Sequence, residues 1–153
     1  MKLRLEWSRP IPLRRARQRT LVYTTDLDKL PDGPGLYVFG RQYGNSLEAL
    51  YVGKAKNIRS RVDRQLNNSR LIQHMKTAKI GKRILLVGRF VPKPGQRESD
   101  CLPLLERALI RHFVSDGHDL VNIQGTRLRQ HEITSAGKHP RRFVPTLMYL
   151  EKT

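Results

Sequence analysis

The sequence predicts one α/β domain, a small three-stranded, largely antiparallel sheet flanked by helices, with a basic extension at each end. Three observations carry this. Two short β-type runs, Leu36–Phe39 and Ala49–Val52, flank a glycine-containing loop, the pattern of an antiparallel hairpin. Apolar residues then recur at helical spacing in two consecutive stretches and again before residue 115. Between these helical stretches lies Ile84–Val87, an apolar run that fits a buried third strand.

The elements follow in chain order. Residues 1–30 carry a net charge of +5 with Pro10 and Pro12 among the arginines, and read as a basic arm. Within it, Thr24–Leu30 fits a short capped turn. Pro31-Asp32-Gly33-Pro34-Gly35 is a turn cluster that opens the folded domain, placed at 31–125. After the hairpin, Asn57 is a helix N-cap before Ile58, Val62 and Leu66. Asn67-Asn68-Ser69 breaks that helix, and Leu71, Ile72, Met75 and Ala78 mark the next, ending near Gly81. The strongest helix is expected from about Asp100 to Val114, with Pro103 in its first turn, where no backbone donor is lost. Residues 126–153 form a basic C-terminal extension with a late strand between Phe143 and Leu150.

Composition narrows the function. The chain has 153 residues and a net charge of +17, and the excess runs through the folded segments as well as the ends. Such a field attracts polyanions, and nucleic acid is the expected partner. No run approaches the ~20 apolar residues of a membrane helix, and no secretory apolar region follows the N-terminus. Cys101 is the single cysteine, so a disulfide framework is excluded and a reducing cytoplasmic setting is expected. It is read as a packed thiol. The five histidines lack metal-ligand spacing, and the absence of a phosphate-binding G-x-x-x-x-G-K-[ST] loop argues against ATP use.

Several residues stand out. Leu102, Glu106, Leu109 and Phe113 share one stripe of the last helix, so a carboxylate lies on or beside an apolar face. It is either a boundary Glu paired with an arginine or a metal ligand or acid–base group. Arg61 lies at the edge of the first helix's apolar stripe, as a structural ion-pair partner or a phosphate clamp. Arg59 and Arg64 fall farther out, as solvated residues or phosphate contacts. Tyr37 and Tyr51 sit on neighbouring strands near Gly53-Lys54, as ordinary strand aromatics or as a polar cluster.

Taken together, Gly35-Leu36-Tyr37 and Tyr51-Val52-Gly53 resemble the paired motifs of the GIY-YIG nuclease superfamily. The resemblance extends through Lys54 and the helix-borne Arg61 to Glu106 and to Leu120-Val121-Asn122, about residues 33 to 123. Leu36 and Val52 replace the isoleucines of the motif names. The tyrosines are separated by 13 residues, Ser115–His118 looks like an insertion before Asn122, and Gln65 stands four residues after Arg61, where some members carry Tyr or His.

The resemblance implies a divalent-metal-dependent endonuclease acting on nucleic acid, DNA favoured over RNA, with Mg²⁺ or Mn²⁺ as cofactor. Tyr37, Tyr51, Arg61 and Glu106 would be catalytic, with Glu106 the metal ligand. Gly53, Lys54, Arg59 and Asn122 would bind substrate, Gly53 by letting backbone approach the phosphate. Which tyrosine activates water stays open. The rival expectations are a non-catalytic nucleic-acid-binding module on the same scaffold and an effector nuclease held by a protein partner.

Overall fold

The structure is a computed structural model that describes residues 1–16, 23–121, 130–138, 140 and 144–151. In chain order, four short strands come first: β1 (Leu5–Trp7), β2 (Ile11–Pro12), β3 (Arg14–Arg15) and β4 (Tyr23–Thr24). A 3₁₀ turn, Leu27–Lys29, follows, and the side chain of its cap Asp26 accepts from the Asp28 amide. Then come β5 (Gly35–Tyr43), β6 (Ser46–Ala55), α1 (Ile58–Gln65), α2 (Ser69–Thr77), β7 (Lys82–Phe90), α3 (Glu98–Ser115), β8 (Gln130–Thr134) and β9 (Leu147–Glu151).

The architecture is mixed α/β with three helices as expected, and the centre of its sheet is the antiparallel set β7-β5-β6. The sheet is larger than three strands. β1 and β2 both pair antiparallel with the outer edge of β7, Leu5 opposite Phe90 and Ile11 opposite Leu85. The first part of the basic arm is thus built into the domain. Alternate apolar residues on and before β1 explain this: Leu3 and Leu5 pack with Phe90, Cys101 and Leu102 in a small core. The late strand is present as β9, which pairs with β8 in a separate two-stranded sheet.

Helices cover both faces of the central sheet. One face carries Tyr37, Phe39, Leu85 and Val87 against Ile58 and Val62 of α1 and Leu71 and Met75 of α2. The other carries Val38, Ala49 and Val52 against Ile110 of α3. The register of β5 with β6 slips after Phe39, which faces Tyr51, while Gly40 faces Ala49. Leu50 is the extra residue of this bulge, and it joins Tyr51 on the α1 side. The imidazole Nδ1 of His118 accepts from the Ala49 amide at 2.7 Å beside the bulge.

Local chemistry sets the helix ends. The Asn57 side chain accepts from the Ser60 amide at 3.0 Å and starts α1. Arg83 closes α2, donating to the carbonyls of Met75, Ala78, Lys79 and Gly81. Helix α3 begins at Glu98, two residues earlier than expected, so Pro103 stands in the second turn and not the first. The bond it cannot donate would have gone to the Ser99 carbonyl. Glu98 and Asp100 at the positive end of the helix dipole favour the earlier start. Among the described residues, no helix is long and apolar enough to cross a membrane.

Candidate active site

The two motif glycines are required by close approach. A side chain on Gly35 would overlap the Gly88 carbonyl on β7 and press on the Ile58 side chain of α1. Gly53 lies directly opposite Tyr37. A side chain there would overlap the Tyr37 phenol, ring carbon and oxygen alike. Gly53 was expected to admit a phosphate; what occupies its vacant side-chain space is the Tyr37 ring.

That ring is 1% exposed. It stacks on Tyr51 with centroids 6.0 Å apart and planes at 29°, and meets Phe39 edge-on at 5.9 Å. Burial pushes the Tyr37 hydroxyl well above the ordinary 10.0, and the neighbouring Tyr51 reinforces this by charge and by hydrogen bonding. A hydrogen bond from Gln65 and the charge of Arg61 act the other way. Tyr37 is therefore a fixed, protonated phenol at neutral pH. Tyr51 is only partly buried, and its hydroxyl oxygen accepts from Gln65 Nε2 at 3.4 Å.

Arg61 is exposed on α1 and lines a groove of about 580 Å³ between the first turns of α1 and α3. Lys54, Lys56 and Arg64 share the wall with it, against Glu98 from α3. The groove is thus strongly cationic. Arg59 is placed elsewhere. Its Nε and Nη2 donate to the Leu30 carbonyl at 3.2 and 2.8 Å, and Nη1 pairs with Asp32 at 3.2 Å. It clamps the 3₁₀ turn onto α1, and Arg64 takes the groove position instead. Asn122 lies outside the described residues.

Glu106 falls between the buried Leu102 and Ile110 on α3, one turn from each, so it faces the sheet. Its side chain is 20% exposed and its Oε2 accepts from Lys54 Nζ. The partner is a lysine of β6 and not the arginine that a boundary Glu would suggest. Lys54 lies opposite Leu36, on the α3 face, whereas Gly53 faces Tyr37 on the α1 face. Strand β6 is the sheet's edge in the strand order. The candidate site therefore straddles that edge: tyrosines and Arg61 on one side, Lys54 and Glu106 on the other, with Lys54 and Arg61 meeting in the groove.

Among the described residues, no group of three or more His, Cys, Asp or Glu could hold a metal. Among the described residues, the carboxylates here are Glu98 on the groove wall and the half-buried Glu106 beside Lys54, with room for a phosphate between the helices. That suits a hard cation such as Mg²⁺, which keeps several waters and takes further oxygens from a substrate phosphate. The Glu106 carboxylate fits such an ion as a protein ligand.

Two contributors were not singled out as site residues. Gln65 carried a signal, its four-residue spacing from Arg61, but only the fold shows that this spacing reaches the tyrosines. Lys56 carried none, since one lysine among 30 basic residues is not distinctive.

This fold and constellation define a GIY-YIG domain. A family model described as the UvrC-like GIY-YIG domain matches residues 33–114, more than half of the chain, and the chain belongs to the GIY-YIG nuclease superfamily. It is similar to UvrABC system protein C of Psychrobacter cryohalolentis, 33% identical over 106 residues that make up 69% of this chain and 15% of that protein. It is also similar to UvrABC system protein C of Psychrobacter arcticus, 32% identical over 104 residues, 68% of this chain and 15% of the relative. The chain thus spans about 15% of the length of these curated relatives. No solved structure matches it.

Proposed function

We propose that this protein is an endonuclease that hydrolyses phosphodiester bonds of DNA with a divalent metal, Mg²⁺ or Mn²⁺. The observation that carries the reading is the cationic groove in which Arg61 and Lys54 converge, with the Glu106 carboxylate bound to Lys54 at its edge. A pure binding surface has no need of a half-buried carboxylate among its cations.

The residues divide the work as follows. Arg61 binds the scissile phosphate and opposes the charge that grows on it as water attacks, since its fork of donors matches phosphoryl oxygens. Glu106 would hold the divalent ion, which when bound supplies charge stabilisation at the phosphoryl group and the leaving 3′-oxygen. Lys54 positions the Glu106 carboxylate and adds a cation to the groove. Tyr51 is the phenol that meets the attacking water and, as the phenolate, takes its proton, because Tyr37 is sealed in the core while Tyr51 is only partly buried. Tyr37 orients Tyr51 by stacking.

Incubation with supercoiled plasmid, single-stranded DNA and RNA, each with Mg²⁺, Mn²⁺ or EDTA, tests this. Nicking of plasmid with metal and none in EDTA is expected. Binding without cleavage under every condition would replace the reading with a non-catalytic module.

A further inference from the structure

We infer that Gln65 is a positioning residue of the site and that its orientation is set by the N-cap of α2, through an Asn68–Gln65–Tyr51 chain of hydrogen bonds. The catalytic consequence rests on the nuclease reading above; the chain itself does not.

The direction of each bond follows from the one before. Asn68 caps α2, and its Oδ1 accepts from the amides of Arg70 at 3.1 Å and Leu71 at 3.2 Å. Two backbone donors on that oxygen leave no choice about which end of the amide is which. The nitrogen must face the other way, and it donates to Gln65 Oε1 at 3.0 Å. With its oxygen used, Gln65 can present only its NH₂ group to the tyrosines. That group donates to the Tyr51 oxygen at 3.4 Å. Tyr37 in turn stacks on Tyr51, ring centroids 6.0 Å apart. With Gln65 donating to it, the Tyr51 oxygen accepts. The linker between α1 and α2 thus does more than turn the chain: it decides which end of the Gln65 amide meets Tyr51.

The positions support a dedicated role. Gln65 is the last residue of α1 and lies one turn after Arg61, so the groove arginine and the tyrosine donor are carried by the same helix face. The backbone amides that ultimately orient the Gln65 side chain belong to Arg70 and Leu71, in the first turn of the next helix, so the chain is short and local.

The test separates capping from positioning. Asn68→Asp keeps an oxygen acceptor for the α2 amides, and Asp caps as well as Asn, but it removes the amide donor and turns Gln65 around. Its melting temperature should match wild type and its affinity for plasmid in EDTA should be unchanged. Its single-turnover cleavage rate should fall about tenfold, the weight of one directed hydrogen bond. Gln65→Met, of similar length but without a donor, should lose about the same factor. Adding Asn68→Asp to Gln65→Met should cost nothing further, since both act through one path. A wild-type rate in Asn68→Asp, or losses that multiply in the double variant, would overturn the inference.

If the wild-type protein cleaves nothing, the nuclease reading fails and the chain of bonds is judged by NMR alone. The Gln65 side-chain amide resonances should shift both on Tyr51→Phe and on Asn68→Asp. Resonances indifferent to Tyr51→Phe would remove the Gln65–Tyr51 link.

Discussion

Tyr37 and Gly53 face each other across the β5–β6 hairpin, and the Tyr37 phenol fills the space a side chain at position 53 would need. The glycine of the second motif is thus the seat of the tyrosine of the first. The two motifs are one packing unit, which makes a site residue sensitive to a methyl group on the neighbouring strand.

Gly53→Ala should therefore displace the Tyr37 ring. Overpacking of this kind costs about 1–3 kcal/mol, read as a lower denaturation midpoint. Cleavage should fall with it, because Tyr51 loses its stacked partner. A Gly53→Ala protein as stable and as active as wild type would show that the ring has room to spare.

Stability at high pH should report the Tyr37 burial. Its hydroxyl titrates higher in the folded chain than the ordinary 10.0 of an unfolded one. Above pH 10 the unfolded state loses that proton first, so its contribution to stability is intact below pH 10 and declines as the pH rises further. Denaturant midpoints measured from pH 8 to 11 should fall at the alkaline end, and fall less steeply in Tyr37→Phe. Parallel curves for the two proteins would contradict this.

Arg61 and Arg59 should fail in different ways. Arg61→Ala should cut the cleavage rate by about 10²–10³, the usual effect of losing one charge-stabilising contact. Arg61→Lys should be poor as well, lacking the fork. Arg59→Ala should leave the rate nearly intact and lower stability by about 1 kcal/mol, because it frees the Leu30 carbonyl and the 3₁₀ turn. The paired measurement is a rate at saturating plasmid and a thermal melt.

Glu106→Gln should abolish cleavage while plasmid binding persists in EDTA. Lys54→Met should weaken both, since it removes a groove cation and the partner of Glu106. Full activity in Glu106→Gln with Mg²⁺ would end the assignment of this carboxylate.

The N-terminal segment should divide into a folding part and a binding part. Deleting residues 1–12 removes β1 and β2 from the edge of β7 and should lower the melting temperature. Replacing Arg14, Arg15, Arg17 and Arg19 together should leave the fold intact and weaken binding to all sequences alike. If about six phosphates are neutralised in the wild-type complex, log K falls against log salt with a slope near −5. The four-arginine variant should show a flatter slope, and an unchanged one would take this segment off the binding surface.

Much of the fold could be read in short windows of sequence. Asn57 announces α1 because a cap bonds an amide two or three residues away; Asn68, read as part of a helix break, caps α2 in the same local way. The strands around Tyr37, Tyr51 and Ile84 are visible because apolar runs between turn residues are local patterns. The motif residues are recognisable for the same reason, each lying in a stretch of a few residues.

What only the tertiary structure decided concerns partners far apart in the chain. The helix pattern sets Arg61 nearer the apolar stripe than Arg59, yet Arg61 stands exposed in the groove and Arg59 clamps Leu30, because the fold brings that carbonyl, 29 residues away, against α1. Glu106 finds its partner 52 residues away in Lys54 through the register of β6 against β5, which also sets Gly53 under Tyr37. The arm's strands belong to the sheet because β7 had an open edge and a small apolar patch to cover, at Phe90 and Leu102. Periodicity and capping are contained within a turn or two of chain; register, facing and edge pairing depend on how distant segments bury their apolar sides together.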